Sequence, residues 1–130
     1  MTRFKKSRQR ERIHSLLMST QSHPTAAWIY DSLKPEMPDL SLGTVYRNLK
    51  ILALMGKIQI LHSGSGFDRF DADIRPHYHL ICTRCGQVED VELPVQTELE
   101  QKAMKILGDR ISGHRLDFIG LCKSCAQMQQ

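Results

Sequence analysis

Apolar positions along the chain change period twice, and each change marks a different kind of element. Ile13, Leu16 and Leu17 recur at helical spacing directly after a run that is almost wholly charged. His23-Pro24-Thr25 interrupts that pattern. Thr25 offers a capping hydroxyl, and Ile29, Tyr30 and Leu33 then predict a second helix, which Pro35 and Pro38 end. Ser41 caps a third, in which Val45, Leu49 and Leu52 form a stripe at i, i+4 and i+7. Beyond Gly56 the period drops to two: Lys57 to His62 alternates as a strand, Gly64-Ser65-Gly66 turns, and Phe67 to Phe70 returns. Three helices followed by a two-stranded hairpin describe a winged helix-turn-helix.

The second half reads differently. Strands over 77–82 and 87–92 flank a turn, and a helix over 94–107 carries Val95, Leu99, Ala103 and Ile106 as its apolar stripe. After Gly108 a strand is predicted over 111–121. Three strands and a helix make a small α/β lobe with an exposed sheet edge, and such an edge invites a second copy of the chain. The expected fold class is therefore α+β, with an N-terminal winged helix-turn-helix domain over residues 1–71 and a C-terminal α/β dimerisation domain over residues 72–130.

Charge sharpens this division. Residues 1–70 hold 11 Lys/Arg against 5 Asp/Glu, and residues 71–130 hold 7 against 9, so the first lobe suits a polyanion and the second suits cations. Arg3, Lys5, Lys6, Arg8, Arg10 and Arg12 form a basic entry arm, each residue as compatible with a solvated helix face as with a DNA phosphate. On the third helix the face away from the stripe shows Thr44, Arg47, Asn48 and Lys50, with Tyr46 near its edge. Arg and Asn reach base edges in a major groove, while Ser41, Thr44, Tyr46 and Lys50 suit phosphates. The expected partner is double-stranded operator DNA, read by a homodimer across two half-sites, with no small-molecule substrate. No apolar run approaches the roughly 20 residues of a membrane span, and no hydrophobic segment follows the basic start, so a cytoplasmic protein is expected.

The cysteines bring in metal chemistry. Cys82 and Cys85 form a Cys-x-x-Cys knuckle, which Cys122 and Cys125 repeat, and the two knuckles use all four cysteines. Two disulfides or a redox pair are the alternatives, but paired knuckles fit one closed, tetrahedral, structural zinc per chain. His77 and His79 stand two apart, so on an extended strand they share a face and can close on one ion.

Together these residues resemble the Fur superfamily of metal-dependent transcriptional regulators and, within it, the peroxide-sensing PerR branch. The resemblance spans about residues 7–126. It lies in Ser41-Leu-Gly-Thr-Val-Tyr-Arg-Asn-Leu, in His23-Pro-Thr-Ala, and in His77-Tyr-His-Leu-Ile-Cys-Thr-Arg-Cys-Gly. It implies a regulatory site built from His23, Asp71, His77, His79 and Asp90 that holds one Fe(II) or Mn(II) per chain with a position left open. It also implies that peroxide adds oxygen to a ligating histidine, His23 or His77, and so releases DNA. Aspartate at both acid positions resembles the peroxide-sensing pattern, whereas iron-sensing relatives commonly use glutamate. The alternative is an iron-responsive repressor of the same family without peroxide sensing. Two departures stand out: the family's Thr-Pro-Gln-Arg turn is replaced around Lys6-Ser7-Arg8-Gln9-Arg10, and the positions of an additional metal site are Pro76, Tyr78, Thr97 and His114, of which only His114 is a ready ligand.

Two other classes compete. A zinc deaminase needs a His-x-Glu with a Pro-Cys-x-x-Cys and an open zinc position, whereas this chain offers His-x-His and a closed four-cysteine set, so no enzyme is expected. A structural zinc-ribbon adaptor leaves the third helix unexplained.

Overall fold

The computed structural model describes residues 6–62 and 67–128. Three helices open it, and each begins on a hydroxyl. Ser7 accepts from the N–H of Arg10 to start α1 (Arg8–Met18), Thr25 from Trp28 to start α2 (Ala26–Leu33), and Ser41 from Thr44 to start α3 (Leu42–Leu54). Every such bond satisfies an N–H that helical geometry leaves without a partner, worth about 1 kcal/mol. The apolar stripes then meet in one core of Ile13, Leu17, Ile29, Leu33, Val45 and Leu49, closed by Ile58 and Phe70. Each side chain so buried contributes roughly 1.5–3 kcal/mol.

Gly56, at φ 74°, turns the chain out of α3 in a conformation that favours glycine. Strands β1 (Gln59–His62) and β2 (Asp68–Asp71) pair antiparallel, Gln59 opposite Asp71. The expected glycine turn over 64–66, like Arg3 and Lys5 of the basic arm, lies outside the described residues.

A second sheet follows, in the order β4-β3-β5. Its centre is β3 (Tyr78–Cys82), paired antiparallel with β4 (Val88–Val91) and parallel with β5 (Asp117–Gly120). Between β4 and β5 run α4 (Thr97–Leu107) and a single 3-10 turn, Gly108–Arg110. The helix starts three residues later than its pattern suggests, because the N–H of Thr97 turns back to the carbonyl of Val95 and the N–H of Gln96 is held by Tyr78 Oη. The strand expected over 111–121 narrows to the four residues that pair with β3. A short helix not anticipated from sequence, α5 (Lys123–Gln127), runs through the second knuckle, with Cys122 Sγ accepting from the N–H of Cys125 at its start.

The apolar stripe of α4 is not buried in the protomer: Leu99 is 42% exposed and Ile106 83%. Periodicity shows that a helix has an apolar face but not which surface covers it. Leu61 of β1 is buried with Ile81 and Val88 of the second sheet, so the hairpin packs on β3 and β4 and the two lobes share a small core.

Candidate metal centres and nucleic-acid face

The strand β3 positions the first centre. His77 lies just before it and His79 within it, and alternation turns both rings to one side while Tyr78 points to the other. Register places Asp90 of β4 directly opposite His79. From the other lobe come Asp71, at the end of β2, and His23, in the link between α1 and α2. One donor atom from each of these five residues lies within 4.8 Å of all the others. The three imidazole Nε2 atoms converge on two carboxylate oxygens. Asp71 Oδ2 is 3.2 Å from His23, 3.2 Å from His77 and 3.5 Å from His79, and Asp90 Oδ1 is 2.9, 3.0 and 3.4 Å from the same three.

Surrounding groups orient the donors. Asp71 Oδ1 accepts from the N–H of Asp73 at 2.8 Å, which leaves Oδ2 for the centre. His77 Nδ1 donates to the carbonyl of Arg75 at 2.6 Å, so its Nε2 keeps a lone pair for a ligand. His79 Nδ1 faces Asp117 Oδ1 at 3.7 Å, beyond hydrogen-bond length. His23 is almost fully buried and its Nδ1 makes no hydrogen bond. Burial alone would lower the His23 pKa, but hydrogen bonding and charge from Asp71 and Asp90 outweigh it and raise the value. Burial likewise opposes ionisation of Asp71, yet bonds from His23, His79 and the Asp73 amide hold its carboxyl well below the usual range. Three imidazoles and two carboxylates crowded in this way form a donor set suited to Fe(II) or Mn(II). His77 and His79 also line a cleft of about 500 Å³ between the wing and the 114–117 segment.

The second centre joins the knuckles. Cys82, Cys85, Cys122 and Cys125 are free thiols whose sulfurs lie within 4.8 Å of one another, Cys85 Sγ 3.8 Å from Cys122 Sγ. Gly86, at φ 79°, lets the first knuckle fold back so that its N–H reaches the carbonyl of Cys82. Backbone groups at Cys122 and Cys85 lower the Cys82 pKa to about 6, while its neighbouring sulfurs, Cys122 first, push Cys125 up to about 12. Four sulfurs gathered this closely are a donor set suited to one tetrahedral zinc, which would take them as thiolates.

On α3, Ser41, Tyr46, Arg47 and Lys50 are exposed and Thr44 is half-buried, its hydroxyl 2.8 Å from that of Ser41. Asn48 corrects the sequence reading. It is 4% exposed, donates to the carbonyl of Thr44 and sits 3.5 Å from Arg10 Nη1, because position 48 falls beside Val45, Leu49 and Leu52 rather than opposite them. The basic arm divides in the same way. Arg10 is buried, and Arg12 is held by both oxygens of Glu36 at 2.9 and 3.0 Å.

At the positions of the additional site, Tyr78 Oη meets His114 Nε2 at 2.8 Å and His114 Nδ1 meets Glu100 Oε1 at 3.0 Å. Sequence reasoning also passed over Arg69, which donates to the carbonyl of His23, and Asp117 beside His79. Arg69 carried a signal, standing two residues before Asp71 on one strand. Asp117 carried none, since the register of a parallel pair is not readable from the chain.

A winged helix whose hairpin shares a cluster of imidazole and carboxylate donors with a second, cysteine-knuckled lobe is the arrangement of a metal-responsive DNA-binding regulator. The chain matches the ferric uptake regulator family over residues 2–119 and belongs to it; it is a metal-responsive repressor of that family and not an enzyme. It is similar to the peroxide-responsive repressor PerR of Staphylococcus epidermidis, 38% identical over 119 residues that cover 92% of this chain and 79% of the relative. The PerR of Staphylococcus aureus is 37% identical over 117 residues, covering 90% and 79%. Among solved structures, the Helicobacter pylori ferric uptake regulator superposes with a TM-score of 0.81 at 25% identity, over 95% of this chain and 83% of that one. The Campylobacter jejuni peroxide stress regulator superposes at 0.76 with 28% identity, over 90% and 88%.

Proposed function

We propose that this chain represses transcription as a homodimer on operator DNA, is activated by one Fe(II) or Mn(II) per chain, and is inactivated by peroxide. In this reading His23, Asp71, His77, His79 and Asp90 hold the regulatory ion, and Cys82, Cys85, Cys122 and Cys125 hold one structural zinc. The observation that carries it is the five-donor cluster, drawn from both lobes and using aspartate at both acid positions. The named PerR relatives support the peroxide response.

The division falls near Asp71, with residues 1–71 reading DNA and residues 72–130 dimerising. Ser41, Thr44, Tyr46, Arg47 and Lys50 make the DNA face. The apolar side of α4 and the open edge of β5, where Ile119 is 74% exposed, supply the surface for a second copy. No described helix is long and apolar enough to cross a membrane, and the reading places the protein in the cytoplasm with its DNA.

Ligands on both lobes fix the angle between them, and thereby the spacing of two recognition helices across a dimer. Moving such an equilibrium from mostly open to mostly closed takes on the order of 5 kcal/mol of differential affinity. A bound Fe(II) would provide the one-electron reactivity that opens the O–O bond of peroxide, while the two electrons that peroxide takes overall come from the imidazole, whose ring C–H becomes C–OH. In net terms one peroxide oxygen ends on an imidazole carbon of His23 or His77, and the other leaves as water. The altered ring is a poorer donor, the two lobes lose their common ligand set, and DNA is released.

Anaerobic Fe(II) loading, dilute peroxide and peptide mass spectrometry test this, alongside a gel shift on an A/T-rich palindrome with and without Mn(II). The expected result is metal-dependent binding and a single-oxygen addition on the His23 or His77 peptide that tracks loss of binding. Metal-dependent binding with no such addition would assign the chain to iron-responsive repression without peroxide sensing.

A further inference from the structure

We infer that Arg69 is a positioning residue for His23, setting the backbone conformation from which that imidazole reaches the regulatory centre. The inference rests on the reading of His23 as a metal ligand.

His23 has φ 52°, and among the described residues no other non-glycine has a positive φ. Left-handed backbone crowds a Cβ against the following carbonyl, and the Pro24 ring restricts the residue before it further. The conformation persists only where neighbours over-determine it. Here β2 does so at several points. Arg69 Nη1 donates to the carbonyl of His23 at 3.1 Å, the N–H of Phe70 donates to the carbonyl of Pro24 at 3.0 Å, and Thr25 bridges Arg69 antiparallel. Alternation along β2 places Arg69 and Asp71 on one face and Phe70 in the core on the other. One strand therefore grips His23 twice, Arg69 by its carbonyl and Asp71 by its ring, with Nε2 3.2 Å from Oδ2.

Arg69 is committed to this contact. Its Nε is buried without a hydrogen bond, and among the described residues it makes no ion pair. A half-buried guanidinium that spends its charge on one carbonyl is placed to hold a backbone. Without it the 23–25 link relaxes toward negative φ, and the imidazole swings away from Asp71 and Asp90.

A double-mutant cycle on the full-length, zinc-replete protein freed of regulatory metal tests this, using Mn(II) titration and the intraresidue amide-to-Hα NOE of His23. Arg69→Met is expected to weaken Mn(II) binding about tenfold or more and to remove the strong NOE that a positive φ gives. In a His23→Ala background the same change should cost nothing further. Should Arg69→Met fail to fold, Arg69→Lys, which keeps the charge and one donor, is expected to give a smaller loss with the same dependence on His23. An equal loss in both backgrounds, or an unchanged NOE, overturns the positioning role. If His23→Ala itself binds Mn(II) like the parent, the ligand reading beneath the inference falls instead.

Discussion

Arg10 of α1 and Asn48 of α3 are buried together, Nη1 3.5 Å from Oδ1, on the inner side of the helix whose outer side shows Arg47. Adjacent residues therefore do different work. Asn48→Ala is expected to cost about 0.5–1.5 kcal/mol of stability, because the buried amide's bond to the Thr44 carbonyl and its contact with Arg10 are lost, and to leave operator preference unchanged in the protein that still folds. Arg47→Ala should leave stability nearly alone and cost about 1–3 kcal/mol in operator binding with relaxed sequence preference. Denaturant unfolding and competition binding at matched salt separate the two. An Arg47→Ala variant with parental affinity would remove α3 as the reader.

Much of this was legible in the chain, for physical reasons. The hydroxyl caps Thr25 and Ser41 and the i, i+4, i+7 stripe of α3 are local, so those helices begin where short-range rules put them, whereas the Ser7 cap of α1, set within a charged run, emerged only in the structure. The four cysteines and His77/His79 declare themselves because ligand spacing is itself local. Asn48 was misread because a polar residue beside an apolar stripe looks exposed until Arg10, 38 residues earlier, supplies its partner. The faces of α4, the place of Asp117 and the docking of Leu61 on Val88 all depend on long-range register, which no window of sequence contains.

The cysteine knuckles close the sheet from its far end. Cys82 ends β3, Cys122 follows β5, and the two knuckles meet at Cys85 and Cys122. Binding a metal that the unfolded chain cannot organise is folding free energy. Cys122→Ser is expected to lose the zinc and leave the second lobe poorly folded or monomeric, read by zinc content and sedimentation. A zinc-free variant that remains a folded dimer would refute the structural role.

Left-handed backbone at His23 makes a prediction that needs no metal. Glycine adopts φ 52° without a Cβ clash, whereas alanine does not. His23→Gly is expected to be more stable than His23→Ala by about 0.5–1 kcal/mol in the zinc-replete protein, despite the greater freedom of glycine in the unfolded chain. Both should keep the dimer and the zinc and lose metal-activated DNA binding. Alanine equal to or above glycine in urea unfolding would mean that the positive φ does not persist in solution.

Asp90 offers the sharpest separation of metal gripping from peroxide chemistry. It stands opposite His79 in the β3–β4 pair, and its Oδ1 is 2.9 Å from His23 Nε2 and 3.0 Å from His77 Nε2, the two rings proposed as oxidation targets. Asp90→Glu keeps the charge and ligand type while adding one methylene, about 1.5 Å of reach. A flexible exposed arm absorbs that length, and Asp90 is 43% exposed in its side chain, so a metal should still be held and DNA binding should still respond to it. Oxygen transfer is less forgiving, because a misplacement near 1 Å costs roughly 100-fold in a reaction that depends on alignment. The expected outcome is near-parental Mn(II)-dependent operator binding together with a drop of about 10–100-fold in the rate of single-oxygen addition. If Asp90→Glu reacts with peroxide at the parental rate on His23 or His77, the length of this arm does not set the reactivity, and aspartate at position 90 ceases to favour peroxide sensing over iron sensing.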